Sequence, residues 1–246
     1  MEWGRAKTIL ILSFLMLNLL LGYQLWQSKF KLPDESTEIE LIAEEVMSIA
    51  SSKNITVDAV IPVETPKMNE ITVTFGEEGI MGKQVEFDRP IPYNIAITGS
   101  EAWSVLDDYI PNVNEYRYDP FTSHPGVVIL HQLANGYPMF DVRLELKTEL
   151  QQFVSYKQNY VEIQESDDQT AKQRVLSAYL AIGRLVENYM RPGSVITDVQ
   201  LGYHGQIFNS ETQVLAPTWR IMTSDNEMFY VHAINGSVEL PTKGIE

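Results

Sequence analysis

The stretch "VVILHQLANGYPMFDVRLEL", Val127 to Leu146, decides the fold class. Two β-rich runs flank Asn135-Gly136, and that dipeptide is the strongest short-range hairpin signal because the tight turn needs positive φ at both central residues. Beyond it Val142, Leu144 and Leu146 alternate with Arg143, Glu145 and Lys147, a period of two with one apolar face. Working outward, "QFVSYKQNYVEIQ" extends an antiparallel meander. Upstream, "ITVTFG" places Ile71, Val73 and Phe75 on one face, "KQVEFD" alternates through Val85 and Phe87, and "YNIAIT" through Tyr93, Ile95 and Ile97. Gly76, Gly79, Gly82, Pro90 and Pro92 punctuate these runs. "NEYRYDP" is another strand. Downstream, "SVITDVQLGYHGQIF", "QVLAPTWRIMTSD" and "MFYVHAING" return to β pattern.

Three stretches beyond residue 30 read as helices. Thr37 and Glu40 fit a capping box ahead of an apolar face through Ile39, Ile42, Ala43, Val46, Ile49 and Ala50, ending near Ser51–Lys53. Ser100 caps a short helix that turns Trp103, Leu106 and Ile110 inward. Ser166 and Gln169 open a longer one, with Val175, Ala178, Tyr179, Ile182, Leu185, Val186 and Tyr189 as its stripe and Arg191-Pro192-Gly193 as its stop. Strands, helix, then strands joined by hairpins predict α+β with antiparallel sheets rather than βαβ units.

The other decisive segment is "GRAKTILILSFLMLNLLLGYQLWQSKF", Gly4 to Phe30. Thr8 to Trp26 carries no formal charge, about 28 Å of helix against a hydrocarbon core of about 30 Å. A secretion signal has a shorter apolar core and a small-residue cleavage site; here the run ends in "GYQLWQ", with Tyr23 and Trp26 suited to headgroup level. The expectation is an uncleaved anchor, residues 8–26, with residues 1–7 cytoplasmic because Arg5 and Lys7 precede it. Residues 27–36 form a linker, followed by subdomains at 37–145 and 146–246. Within the span Phe14, Asn18 and Gly22 lie four apart on one face. A buried amide seeks a partner and glycine permits close approach, so these three are the candidate helix contacts. Asn18 in a lone anchor is the plainer alternative.

Composition narrows the function. Residues 30–246 hold 15 basic and 32 acidic residues. This excess of acid argues against nucleic acid, which needs Lys and Arg to displace counterions, and against lying on anionic lipid. No cysteine is present, so there is neither a disulfide framework nor a thiolate site. His124, His131, His204 and His232 lie in no chelating spacing. "TGSE", "PGSV" and "NGSV" are turns or caps rather than nucleophile elbows. Asp107-Asp108 and Asp167-Asp168 read as solvated faces. No catalytic, cofactor or metal site is expected.

The N-terminal stretch with its short Trp-containing basic tail, Asn18 and the "LGYQL" exit resembles the YycI family, as do "ILHQLANGYPMFDVRLEL", "VQLGYHG" and "APTWRI…YVHAINGSVE" in that order. The last piece is also similar to the closing hairpin of PepSY-type domains, with a Pro-x-Trp strand against one ending in Asn-Gly. The resemblance implies a membrane-anchored extracytoplasmic regulator of the essential sensor histidine kinase YycG. It implies a partner of related fold, YycH, contacts with the kinase's transmembrane helices, and an effect on cell-wall metabolism. It implies no catalytic residue and no cofactor. The competing reading is an exported PepSY-type binding or inhibitory module for a protease or cell-wall enzyme, with the helix only a tether.

Overall fold

A computed structural model describes residues 3–30, 35–76, 82–92, 104–164, 172–205 and 211–240 of the chain. The expected strand at Tyr93–Thr98, the positions of Ser100 and Trp103, the Ser166 and Gln169 capping pair and Asp167-Asp168 lie outside these residues. The chain divides into two compact units, Met1–Ala43 and Glu44–Glu246.

The first unit contains α1, Trp3–Phe30, and the start of α2, Glu35–Ser52. In α1 the window Lys7–Gln24 has mean hydropathy 1.5 and none of it is buried, so the helix is long and apolar enough to cross a membrane. α2 begins at Glu35, so Thr37 falls in its first turn and is not the N-cap. Glu and Ser are tolerated in helices, and nothing at 35–36 stops the helix there. Its last residues belong to the second unit, where Val46 and Ala50 are buried. The helix closes on Asn54 at φ 58°, a left-handed residue of the kind that ends helices.

The second unit is built on strands. β1 (Thr56–Val57), β2 (Lys67–Met68), β3 (Ile71–Phe75), β4 (Gln84–Pro92), β5 (Tyr116–Tyr118), β6 (Val127–Ala134) and β7 (Tyr137–Glu149) precede the last helix. So do β8 (Gln152–Gln158), β9 (Val161–Gln164) and β10 (Gln173–Arg174). α3 (Ala178–Asn188) leads into β11 (Val195–His204), β12 (Thr212–Thr223), β13 (Met228–His232) and β14 (Val238–Glu239). The main path runs β14-β13-β12-β11-β7-β6-β5, almost wholly antiparallel, with brief parallel contacts of β11 with β7 and with β1. The α+β class with antiparallel sheet therefore holds. The position 145/146 falls inside β7.

Asn135 and Gly136 adopt φ 52° and 83°, and Ala134 faces Tyr137 across the turn, the hairpin geometry expected of this dipeptide. Val142, Leu144 and Leu146 are fully buried. Leu144 and Leu146 meet Leu130, Phe153, Leu106 and Ile110 in one apolar cluster. Leu106 and Ile110 point inward as expected. Among the described residues Leu106 does so from a 3₁₀ turn, Ser104–Leu106, and Ile110 from the turn after it, its N–H donating to the Leu106 carbonyl at 2.8 Å; Pro111 biases the residue before it away from helical backbone. β3 buries Ile71, Val73 and Phe75. β4 departs from its pattern, burying Ile91 while Val85 is exposed. It also runs through Pro90 and Pro92, with its register against β8 broken between Glu86 and Ile91. Proline is tolerated there because, among the described residues, β4 pairs only with β8 and the ladder is already irregular. β9 leaves the meander to pair with β3.

α3 starts later than the periodicity predicts. Gln173 and Arg174 pair with β2, and the Val175 N–H donates to the Pro66 carbonyl at 3.0 Å, so Val175 is extended. Ser177 is the N-cap, its hydroxyl accepting from the Leu180 N–H at 3.4 Å. Ala178, Ala181, Ile182, Leu185 and Val186 are buried, whereas Tyr189 sits exposed at the C-cap.

β11, β12 and β13 form a ladder whose two faces differ. Val199, Leu201, Trp219, Ile221, Phe229 and Val231 share the face toward α3, where the Trp219 indole N–H donates to the Leu176 carbonyl at 2.9 Å. Gln200, Arg220 and Tyr230 lie side by side on the other.

Candidate functional site

Arg220 is the centre of that second face and is only 1 % exposed. The strand pairing fixes its neighbours. Gln200 on β11 faces it directly, and its Oε1 accepts from Arg220 Nη2 at 3.0 Å. Asp198, two residues earlier on the same face, accepts from the same nitrogen at 3.0 Å. Nη1 donates to Asp119, which follows β5. The guanidinium carbon lies 4.8 Å from the centroid of Phe140 on β7, a cation–π contact. One arginine thus ties together segments some hundred residues apart in sequence.

Asp119 gathers donors besides Arg220. Thr122 Oγ1 donates at 2.8 Å, the Phe121 N–H at 3.0 Å and His131 Nε2 at 3.1 Å. Burial alone would raise its carboxyl, but the hydrogen bonds from His131 and Arg220 and the guanidinium charge outweigh it and hold the group well below the usual carboxylate range. Asp198 goes the other way. Its burial outweighs the help of Arg220, and its carboxyl is raised. Asp119 is therefore the fixed anion of the pair.

A second cluster lies farther along the same face. His204 closes β11, and its Nδ1–H donates to both oxygens of Asp141 at 3.0 and 2.9 Å. The Gly205 N–H donates to the same carboxylate at 3.0 Å. The His204 ring stacks on Tyr230, centroids 3.8 Å apart and planes 12° from parallel. Its Nε2 faces Glu239 Oε2 at 3.5 Å. Burial tends to lower the His204 imidazole, but the Asp141 bond and charge, reinforced by Glu239, raise it above the ordinary histidine value. These groups border a cleft of about 420 Å³ lined by Glu70, His204, Thr218, Tyr230, His232 and Glu239 among others.

The strands cross closely beside these clusters. A Cβ at Gly202 would stand 2.6 Å from Phe140 Cζ and closer still to the Pro138 carbonyl, so only glycine lets β11 meet β7 there.

The residues singled out from sequence are widely placed. Phe14 and Asn18 border a shallow groove on α1 with Leu10, Ile11, Leu15 and Leu19. Gly22 lies on the same face, where an added Cβ would meet nothing within 4 Å. His131 and His204 belong to the two clusters; His124 lies in a turn, and His232 Nδ1 accepts from the Ile234 N–H at 3.2 Å. Among the described residues no group of three or more His, Asp and Glu could hold a metal ion. Sequence reasoning missed Asp119, Asp141, Asp198, Arg220, Tyr230 and Glu239. The available signal was Arg220 itself, a lone charge inside the apolar run "APTWRIM".

A family model described as YycI protein matches residues 31–234. No curated protein matches the chain. Among solved structures, an uncharacterized protein from Eubacterium rectale ATCC 33656 is similar at 9 % identity and a TM-score of 0.40, covering 81 % of this chain and 81 % of that one. A likeness that slight carries no functional argument.

Proposed function

The chain belongs to the YycI family, and from that premise we propose that it is a non-enzymatic, single-pass membrane regulator of the sensor histidine kinase YycG. Family membership suggests the kinase system. The observation that carries the route of action is α1, whose Lys7–Gln24 window is apolar and wholly unburied. In lipid such a helix is free to meet other helices, through the face bearing Phe14, Asn18 and Gly22. The N-terminus lies in the cytoplasm and the strand-rich unit outside. There it pairs with a YycH-like protein, and the second, PepSY-like subdomain contributes to that pairing. The effect on the kinase is inhibitory, and through the kinase it reaches cell-wall metabolism.

A regulator of this kind works only by binding one signalling state of the kinase better than another. Confinement to the bilayer raises effective concentration, so weak contacts suffice. Replacing residues 8–26 with an unrelated span of equal length is expected to abolish regulation, read as kinase phosphorylation in cells, while the exported unit stays folded. Asn18→Leu is expected to weaken helix association by about 0.6 kcal/mol, roughly threefold. Regulation that survives the span replacement overturns the helix route and favours a tethered binding module.

A further inference from the structure

His204 stands where four strands and the cleft meet, with a carboxylate on either side of its ring. Asp141 on β7 takes the Nδ1 proton, so the neutral ring must present an Nε2 lone pair. That nitrogen is buried, has no hydrogen-bond partner among the described residues, and looks toward the Glu239 carboxylate at 3.5 Å. A lone pair facing an anion is repelled. A second proton on the ring turns the repulsion into an ion pair, strengthened because much of the site is withdrawn from water. Glu239 belongs to β14, a two-residue strand at the sheet edge, paired among the described residues only with β13 through Tyr230–Glu239 and Val231–Val238. So short an edge opens at little cost. Ser237, Val238 and Glu239 line the cleft, so β14 is part of its wall.

We propose that His204 is a proton-operated latch: the imidazolium clamps Glu239 and holds β14 against the cleft, and loss of the proton releases β14 and opens the cleft wall. Every charged or titratable group facing the ring fits this role. Asp141 on β7 and Glu239 on β14 favour the proton, and Glu70, ahead of β3, adds a third carboxylate to the cleft. His232 on β13 is engaged at Nδ1 by the Ile234 N–H. Tyr230, stacked on the ring, is pushed up to about 12 by burial and by Asp141, and stays neutral while His204 titrates. The His204 value lies above the ordinary 6.5, so the latch is fully engaged below that pH. It is lost as pH rises through the raised value. The device opens on the alkaline side.

The test uses the full chain in lipid nanodiscs. Amide exchange across residues 228–240 is followed by mass spectrometry from pH 5 to 9 and corrected for the intrinsic pH dependence of exchange. His204 ring titration is followed by NMR in the same samples. Protection is expected to fall about tenfold in step with His204 losing its proton. Glu239→Gln, a change at a half-exposed residue, is expected to lower the His204 pKa and erase the step. Protection that stays flat through the titration of His204, or a step that persists in Glu239→Gln, overturns the latch.

Discussion

The two faces of the β11–β13 ladder are held by opposite means. Against α3, Val199, Leu201, Trp219, Ile221 and Val231 exclude water with apolar surface, and the Trp219 indole N–H is met by a backbone carbonyl. On the other face a fully buried Arg220 is surrounded by Asp119, Asp198, Gln200 and the Phe140 ring. Apolar packing is nondirectional and tolerates adjustment. A buried ion cluster has one satisfactory arrangement and is costly when incomplete. The first face therefore supplies cohesion, whereas the second fixes how β5, β11 and β12 are placed around one another.

The comparison is broken most severely at Arg220. Arg220→Ala leaves Asp119 and Asp198 buried without their cation and is expected to cost about 4 kcal/mol in urea unfolding at pH 7. The loss should shrink toward pH 4. Wild-type Asp119 stays ionised far below the ordinary carboxylate range, so its stabilisation is present above about 4 and lost only as pH falls through the lowered value. The variant's stranded carboxyls take up protons sooner and so recover part of the deficit. Replacing Arg220, Asp119 and Asp198 together with apolar residues of similar volume should cost far less than the single change. A loss equal at pH 7 and pH 4 would contradict the ionic account. On the apolar face Leu185→Ala should cost about 3 kcal/mol, with no such pH dependence, because it removes only packing. Smaller than either, Gly202→Ala should cost about 2 kcal/mol by driving a methyl into Phe140. Unfolding midpoints unchanged in this variant would show that β11 and β7 can separate freely.

What the sequence made legible follows the same division. The Asn135-Gly136 hairpin, the β3 alternation and the inward set on α3 announce themselves because each is local, a matter of period or of two φ angles. The start of α3 is not legible locally because a distant partner, β2, captures Gln173 and Arg174 in a ladder no local pattern reveals. The missed cluster is wholly nonlocal. Asp119 precedes a proline and looks like any turn residue, and nothing near it in sequence points to Arg220. His204 and Asp141 meet only because β11 runs beside β7. That Phe14, Asn18 and Gly22 share one face of α1 is legible from spacing alone, since helical period needs no tertiary information.

β4 carries a further lesson. A free sheet edge offers unpaired amides and carbonyls to any passing chain, and molecules tethered in a membrane meet one another often. Pro90 and Pro92 have no amide hydrogen to lend, and the broken register bends the strand away from a flat template. The exposed margin is thereby made a poor seed for fibrils, so that copies of a cysteine-free domain can crowd together without knitting to one another.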